Sequence, residues 1–247
     1  VVASRNAATA EAKGKYLSIM DTDDVARPDK LSKQVDFLEK NQDFALVGSW
    51  ARIIDERGRD TGKYWKLKSK PEKIKAELIF RNYFVHSAIL VHREIALKFP
   101  YENGLEIGED YKFIWDVSRE SKLANINEVL ISYRLHDANI TRKKELHRKC
   151  LVDMYQRMFD EIGLEADTEE LELHLDLRGS LEDIRRYPPK AIAAWLNRIR
   201  EVNDRSGLVD STALDSVIRS RWMKVCTAHW KDPLSIIRES FKILNHG

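Results

Sequence analysis

Cysteine is almost absent: the chain has two in 247 residues, Cys150 and Cys226, far apart and without metal-ligand spacing. That excludes a disulfide-stapled secreted scaffold and fits buried thiols in a reducing cytoplasm. Long apolar runs are missing as well. None reaches the ~18 residues needed to span a bilayer, and no signal peptide is visible. Charge of one sign is missing too, with 42 Lys+Arg set against 40 Asp+Glu for a net charge of +2. The balance is even on both sides of residue 142, which excludes a basic nucleic-acid footprint and a nucleic-acid partner. There is no internal repeat and no low-complexity tract. An initiator methionine is also lacking: the chain opens on Val1 in mid-pattern, so upstream sequence is expected before it. What remains is 43% apolar and 33% charged residues, enough to bury a real core.

Along the chain, the alanine-rich stretch 3–13 reads as a helix stopped by Gly14. Residues 16–20 (YLSIM) read as a short strand running into Asp21-Thr22-Asp23-Asp24. Pro28 suits a first helical turn, and Leu31, Val35 and Leu38 at i, i+4, i+7 predict an amphipathic helix over 28–40. Residues 44–54 read as a strand, 55–60 as a turn and 61–67 as its hairpin partner. A helix is expected over 71–81, strand character over 83–91, a helix over 109–121 and a last strand over 124–134. From Arg142 the texture changes to helical periodicity alone, over 142–163, 168–178, 189–204 and 211–245, punctuated by Gly163, Pro188-Pro189 and Gly207. The expected organisation is an α/β domain over 1–141 and an all-helical extension over 142–247.

Three short constellations carry chemistry. Asp21-Thr22-Asp23-Asp24 follows an apolar strand, and open α/β sheets bind ligands beyond the carboxyl ends of their strands. Three carboxylates in four residues repel unless a cation neutralises them, and Mg2+ or Mn2+ can bridge such oxygens to a diphosphate. The plainer alternative is an acidic loop ahead of the Pro28 helix. Gly108-Glu109-Asp110-Tyr111 opens a helix, where a carboxylate can serve as general base or simply as a first-turn acid favoured by the dipole. Tyr133-Arg134-Leu135-His136 ends the last strand, where Arg134 and His136 can hold phosphate oxygens or complete a metal shell; solvated surface cations are the alternative.

Taken in order and spacing, these pieces resemble the family-two inverting glycosyltransferases of the GT-A fold. The matching text begins with Ala3-Ser4-Arg5-Asn6, Ala12-Lys13-Gly14-Lys15-Tyr16-Leu17, Asp21-Thr22-Asp23-Asp24 and Pro28-Asp29-Lys30-Leu31. It continues with Gly108-Glu109-Asp110-Tyr111, Asn125-Ile126, Leu130 and Tyr133-Arg134-Leu135-His136. It covers about residues 1–141 and implies a partial GT-A mixed sheet whose first strands are missing. By the resemblance, Asp21 and Asp23 are the D-x-D metal motif with Asp24 a third candidate ligand for Mg2+ or Mn2+, and Asp110 is the catalytic base with Glu109 orienting it or the acceptor. Arg5, Asp21, Arg134 and His136 are implied to contact the donor. The partners implied are a nucleotide-sugar donor and a glycan or lipid-linked acceptor, in polysaccharide biosynthesis at the cytoplasmic side, with a peripheral membrane contact through a lipid-linked acceptor. Two rivals stand beside this reading. A haloacid-dehalogenase-type phosphatase would use Asp21 of Asp21-Thr22-Asp23-Asp24-Val25 as nucleophile, but leaves Tyr133-Arg134-Leu135-His136 unexplained. A non-catalytic binding module could keep the same truncated fold.

Overall fold

The structure, a computed structural model, describes residues 1–66, 70–105, 107–136 and 144–244. It divides into two compact units: Val1–Lys75 with Asn82–Cys150, and Ala76–Arg81 with Leu151–Gly247. The expected 1–141 and 142–247 division differs in two respects. The second boundary falls at 150/151, and six residues from the first half of the chain belong to the helical unit.

The first unit holds a mixed sheet. Helix α1 (Val2–Glu11) precedes strand β1 (Tyr16–Ser18), then β2 (Val25–Ala26), helix α2 (Lys30–Lys40), and strands β3 (Phe44–Ile54) and β4 (Asp60–Trp65). Helix α3 (Pro71–Glu77), strand β5 (Leu90–His92), helices α4 (Arg93–Lys98) and α5 (Glu109–Glu120) and strand β6 (Lys122–Arg134) follow. The strand order is β1-β5-β3-β6-β2, with β4 paired to the far end of β3. Strand β5 runs antiparallel to both β1 and β3, and β3 runs parallel to β6. So β1, β3 and β6 point the same way, and Asp21, Asp55 and His136 follow their carboxyl ends. This is the helix-flanked mixed sheet that the sequence predicts. Its centre is β3, whose Ala45–Val47 and Ile53–Ile54 are buried beside Leu90, Leu123 and Leu130. Gly48 lies there because a Cβ would come within 2.5 Å of Asn125 Oδ1 and 2.6 Å of Phe84 Cδ1.

Helix α2 keeps Val35 and Leu38 of the expected face on the core and departs from it at its first turn. Leu31 is exposed, while Lys30, Gln34 and Leu38 face inward. The sheet supplies the reason, since Gln34 Nε2 donates to the Val47 and Ala88 carbonyls at 3.1 and 2.7 Å. Lys30 Nζ donates to Ser18 Oγ at 2.7 Å, and burial pulls its pKa down to about 8. The strand expected through 83–91 is shortened to Leu90–His92, because His86–Ala88 form a 3-10 turn. Side-chain bonds hold that turn: His86 Nε2 lies 2.8 Å from Tyr101 Oη, and Ser87 Oγ accepts from Asp21 N at 3.1 Å. Such local bonds compete with a sheet ladder.

The second unit is helical, with α6 (Lys144–Asp160) entering it, then α7 (Thr168–Asp176), α8 (Leu181–Arg185), α9 (Pro189–Ser206), α10 (Ser211–Ala228) and α11 (Pro233–Leu244). Among the described residues no strand lies beyond Arg134. The single helix expected over 211–245 breaks at 229–232, because Pro233 disfavours helical backbone before it and begins the next helix. Its core is aromatic, with Tyr155, Phe159, Trp195 and Trp222 at or below 1% exposure. His174 sits at its centre, stacked on Phe80 at 5.1 Å, accepting at Nδ1 from Trp195 Nε1 and donating from Nε2 to the Ile79 carbonyl, each at 3.0 Å. Burial keeps this imidazole neutral, with its pKa down near about 3. Cys150 and Cys226 remain thiols and are half-buried, more open than expected. No helix among the described residues is long and apolar enough to cross a membrane.

Candidate functional site

The acidic loop after β1 is fixed by its neighbours, and each carboxylate has a different one. Asp21 Oδ1 accepts from Arg5 Nη2 at 3.2 Å. Asp23 Oδ2 pairs with His136 Nε2 at 2.8 Å. Asp24 turns inward: it is 8% exposed, and its Oδ1 accepts from the Arg134 backbone N–H at 2.8 Å. Burial raises the Asp24 carboxyl pKa, against the Ser87 hydroxyl and the Arg134 N–H, which lower it. Asp24 therefore ties the loop to the end of β6.

Arg134 performs the complementary task. Its Nε donates to the Asp23 carbonyl at 2.8 Å, and its Nη1 to the Asp55 and Glu56 carbonyls at 3.1 and 3.0 Å. One guanidinium thus pins the acidic loop to the turn between β3 and β4. The sequence reading gave Arg134 a donor contact, whereas these bonds direct it at backbone oxygens.

Helix α5 supplies the second pair of acids. Gly108, its amino-terminal cap, has φ of 92°, a left-handed conformation that L side chains rarely adopt. The turn delivers Glu109 and Asp110 to the first helical positions. Arg5 Nη1 donates to Glu109 Oε1 at 2.6 Å, so Arg5 joins the two acidic segments across 104 positions of sequence. Helix α1 is held there by Asn6, which exchanges two 2.9 Å bonds with the backbone of Tyr101. Arg5 also lies 5.4 Å from the Tyr101 ring centre.

Asp110 is a half-buried residue whose carboxyl is set deep among protein atoms. Its pKa is pushed up to about 6, first by burial and then by the charge of Glu109; the Tyr111 N–H and Arg5 pull the other way. The helix dipole, expected to favour the ionised form, is outweighed. A carboxylate with its pKa raised toward neutrality is suited to accept a proton.

Five carboxylates thus meet two guanidinium groups and one imidazole at the carboxyl ends of parallel strands. Among the described residues no three His, Cys, Asp or Glu side chains already surround a metal-sized point. Asp21 and Asp23 keep 40% and 35% of their side chains exposed and offer hard oxygen donors. They fit a divalent cation with solvent or a diphosphate completing its shell. Asp24, turned inward to Arg134, does not share that aspect.

Comparison with known proteins bears on this arrangement, for residues 1–99 match Glycosyl transferase family 2. The match covers 99 of the 247 residues. The family 2 segment contains Arg5, Asp21, Asp23 and Asp24, while Glu109, Asp110, Arg134 and His136 lie beyond it. An uncharacterized glycosyltransferase of Methanocaldococcus jannaschii is 37% identical over 139 residues, which cover 54% of this chain and 46% of that protein. The O-antigen biosynthesis glycosyltransferase WbnJ of Escherichia coli is 29% identical over 150 residues, 59% of this chain and 57% of that protein. The chain spans about half the length of the curated relatives it matches. The S. aureus TarS 1–349 crystal structure covers 99% of this chain and 70% of that chain at 11% identity with a TM-score of 0.48, too loose a likeness to bear on fold or function. These matches give the phosphatase reading of Asp21 no support.

Two site residues lie outside every motif quoted above, Ser87 and Tyr101, while Asn6 stands inside one without a role assigned to it. Asn6 was visible beside Arg5, and the polar His86-Ser87 pair inside an apolar run was the available sign of a turn.

Proposed function

We propose that this chain is the catalytic part of a glycosyltransferase that moves a sugar from a nucleotide-sugar donor to a hydroxyl of a glycan or lipid-linked acceptor, with inversion. The observation that carries the proposal is Asp110: a carboxylate with its pKa raised to about 6, beside a Glu109 held by the same arginine that holds Asp21. In this reading Asp110 takes the proton of the acceptor hydroxyl as its oxygen bonds to the anomeric carbon. The bond from that carbon to the donor diphosphate breaks on the opposite face, which inverts the centre. Glu109, fixed by Arg5, orients the acceptor side. Asp21 and Asp23 would hold Mg2+ or Mn2+, which when bound stabilises charge on the departing diphosphate. Arg134 acts by fixing the acidic loop, and His136 by orienting Asp23. A lipid-linked acceptor would bring the protein to the inner face of a membrane. Isothermal titration of uridine, guanosine, cytidine and thymidine diphosphates, with and without Mn2+, tests the reading. One of the four should bind much more tightly with metal. Equal, negligible heats for all four in both conditions would overturn it.

A further inference from the structure

The hairpin strand β4 has an exposure pattern that its role in the sheet does not explain. All six of its residues are exposed, yet it ends in two large aromatics, Tyr64 and Trp65, at 45% and 41% exposure. Trp65 lies opposite Ala51 on β3, and Tyr133 of β6 lies opposite Ile53 on the other side of the same strand. Their rings nevertheless meet, with centres 4.6 Å apart and planes tilted by 45°. Tyr133 in turn packs against the buried cluster of Ala51, Val85, Ala88 and Ile131. Trp65 is therefore an ordered ring with one side supported and another open to solvent.

Its location gives the open side a use. Tyr133 immediately precedes Arg134, whose backbone N–H binds Asp24. Tyr133 thus sits at the strand end that holds the acidic loop, and the charges of Asp24, Asp23, Asp21 and Asp110 add to burial in pushing its phenol up to about 12. A flat apolar surface beside a row of hydrogen-bond acceptors matches a pyranose, which offers a C–H face to an aromatic ring and hydroxyl donors at its rim.

We infer that Trp65, backed by Tyr133, is a stacking platform for a pyranose ring of the acceptor saccharide. The inference rests on the transferase reading above and adds to it the residue that recognises the acceptor. Saturation-transfer NMR with methyl glucoside, galactoside, mannoside and N-acetylglucosaminide, and with cellobiose, tests it on the whole chain. At least one sugar should receive saturation at its ring C–H protons. Trp65→Ala should weaken that binding about fivefold or more, the scale of an aromatic contact, while Trp65→Phe retains most of it. Circular dichroism and nucleoside diphosphate binding should match wild type in both variants. Sugar binding unchanged in Trp65→Ala, no binding by any of the five sugars, or loss of nucleoside diphosphate binding in Trp65→Ala with the fold intact would each overturn the platform. Failure of wild type to bind any nucleoside diphosphate overturns the transferase reading itself, so the two failures are told apart.

Discussion

Replacing Asp110 by asparagine separates a catalytic carboxylate from an ordinary first-turn acid through stability as much as through rate. The Asp110 pKa rises from 3.8 to about 6, which at about 1.36 kcal/mol per pH unit amounts to about 3 kcal/mol. Solvent screening around this half-buried residue trims the figure toward about 2 kcal/mol. The sign follows from linkage. Between pH 3.8 and about 6 the folded state binds this proton more tightly than the unfolded chain does, so this group's contribution to stability falls as pH rises through that window. Above it the ionised carboxylate is a standing cost, imposed by burial and by Glu109 and Asp21, which Arg5 and the Tyr111 N–H only partly offset. Asparagine keeps the shape and removes the charge. In metal-free buffer, urea unfolding at pH 4, 5, 6, 7 and 8 should show Asp110→Asn gaining on wild type with rising pH and then levelling off. Turnover, in contrast, should drop by about 10²–10⁴, the usual value of a general base. A solvated first-turn acid behaves the opposite way: its loss removes a few tenths of a kcal/mol of dipole stabilisation and leaves rate intact. A variant less stable than wild type at pH 7, or one retaining more than about a tenth of turnover, would refute the assignment.

Further outcomes are as definite. Arg5 lowers the Asp110 pKa, so Arg5→Ala should move the acid limb of the pH–rate profile to higher pH; an unmoved limb would dissociate Arg5 from the base. Asp23→Asn removes the carboxylate charge beside His136 and should abolish metal-dependent tightening of nucleoside diphosphate binding in calorimetry. His174→Leu strands the Trp195 indole N–H and the Ile79 carbonyl, at about 1–3 kcal/mol for each buried group left unpaired, and should lower the helical melting transition accordingly. Gly48→Ala drives a methyl into Asn125 and Phe84 and should lose about 1–3 kcal/mol by overpacking, read from chemical denaturation.

Much of the first unit was legible because its signals are local. The β3 segment 44–54 matches its predicted bounds, and the acidic loop falls where a strand followed by Asp21-Thr22-Asp23-Asp24 suggests. Departures occur where long-range polar bonds outweigh local patterning. Periodicity alone puts Leu31 in the core, but Gln34 and Lys30 take the inward face because the sheet offers carbonyls and a hydroxyl there. His86 and Ser87 leave the strand pattern because Tyr101 and Asp21 bind them. The two-residue β2 is set by pairing with Ser132 and Ile131 and has too little sequence of its own to show. At the site, residue types were readable and their pairing was not: no spacing rule joins Arg5 to Glu109 or His136 to Asp23. The acids were visible, whereas Arg134's work on backbone oxygens depends on where the β3–β4 turn arrives.

Residues 76–81 have a consequence for how the protein is assembled and dissected. Their partners are far along the chain: Tyr155 bonds to the Phe80 carbonyl over 75 positions, His174 to Ile79 over 95, and Arg221 to Glu77 over 144. During synthesis this hexapeptide emerges early, and its apolar Ile79 and Phe80 stay uncovered until the carboxyl-terminal helices have been made. A gene truncated to begin at residue 151 would leave a hole where Phe80 stacks on His174, and one ending at residue 150 would leave the hexapeptide's apolar side chains without a cover. Neither half is a clean unit of expression. Material cut at that boundary should be prone to aggregation at both pieces, and a two-chain version can succeed only if the pieces are produced together.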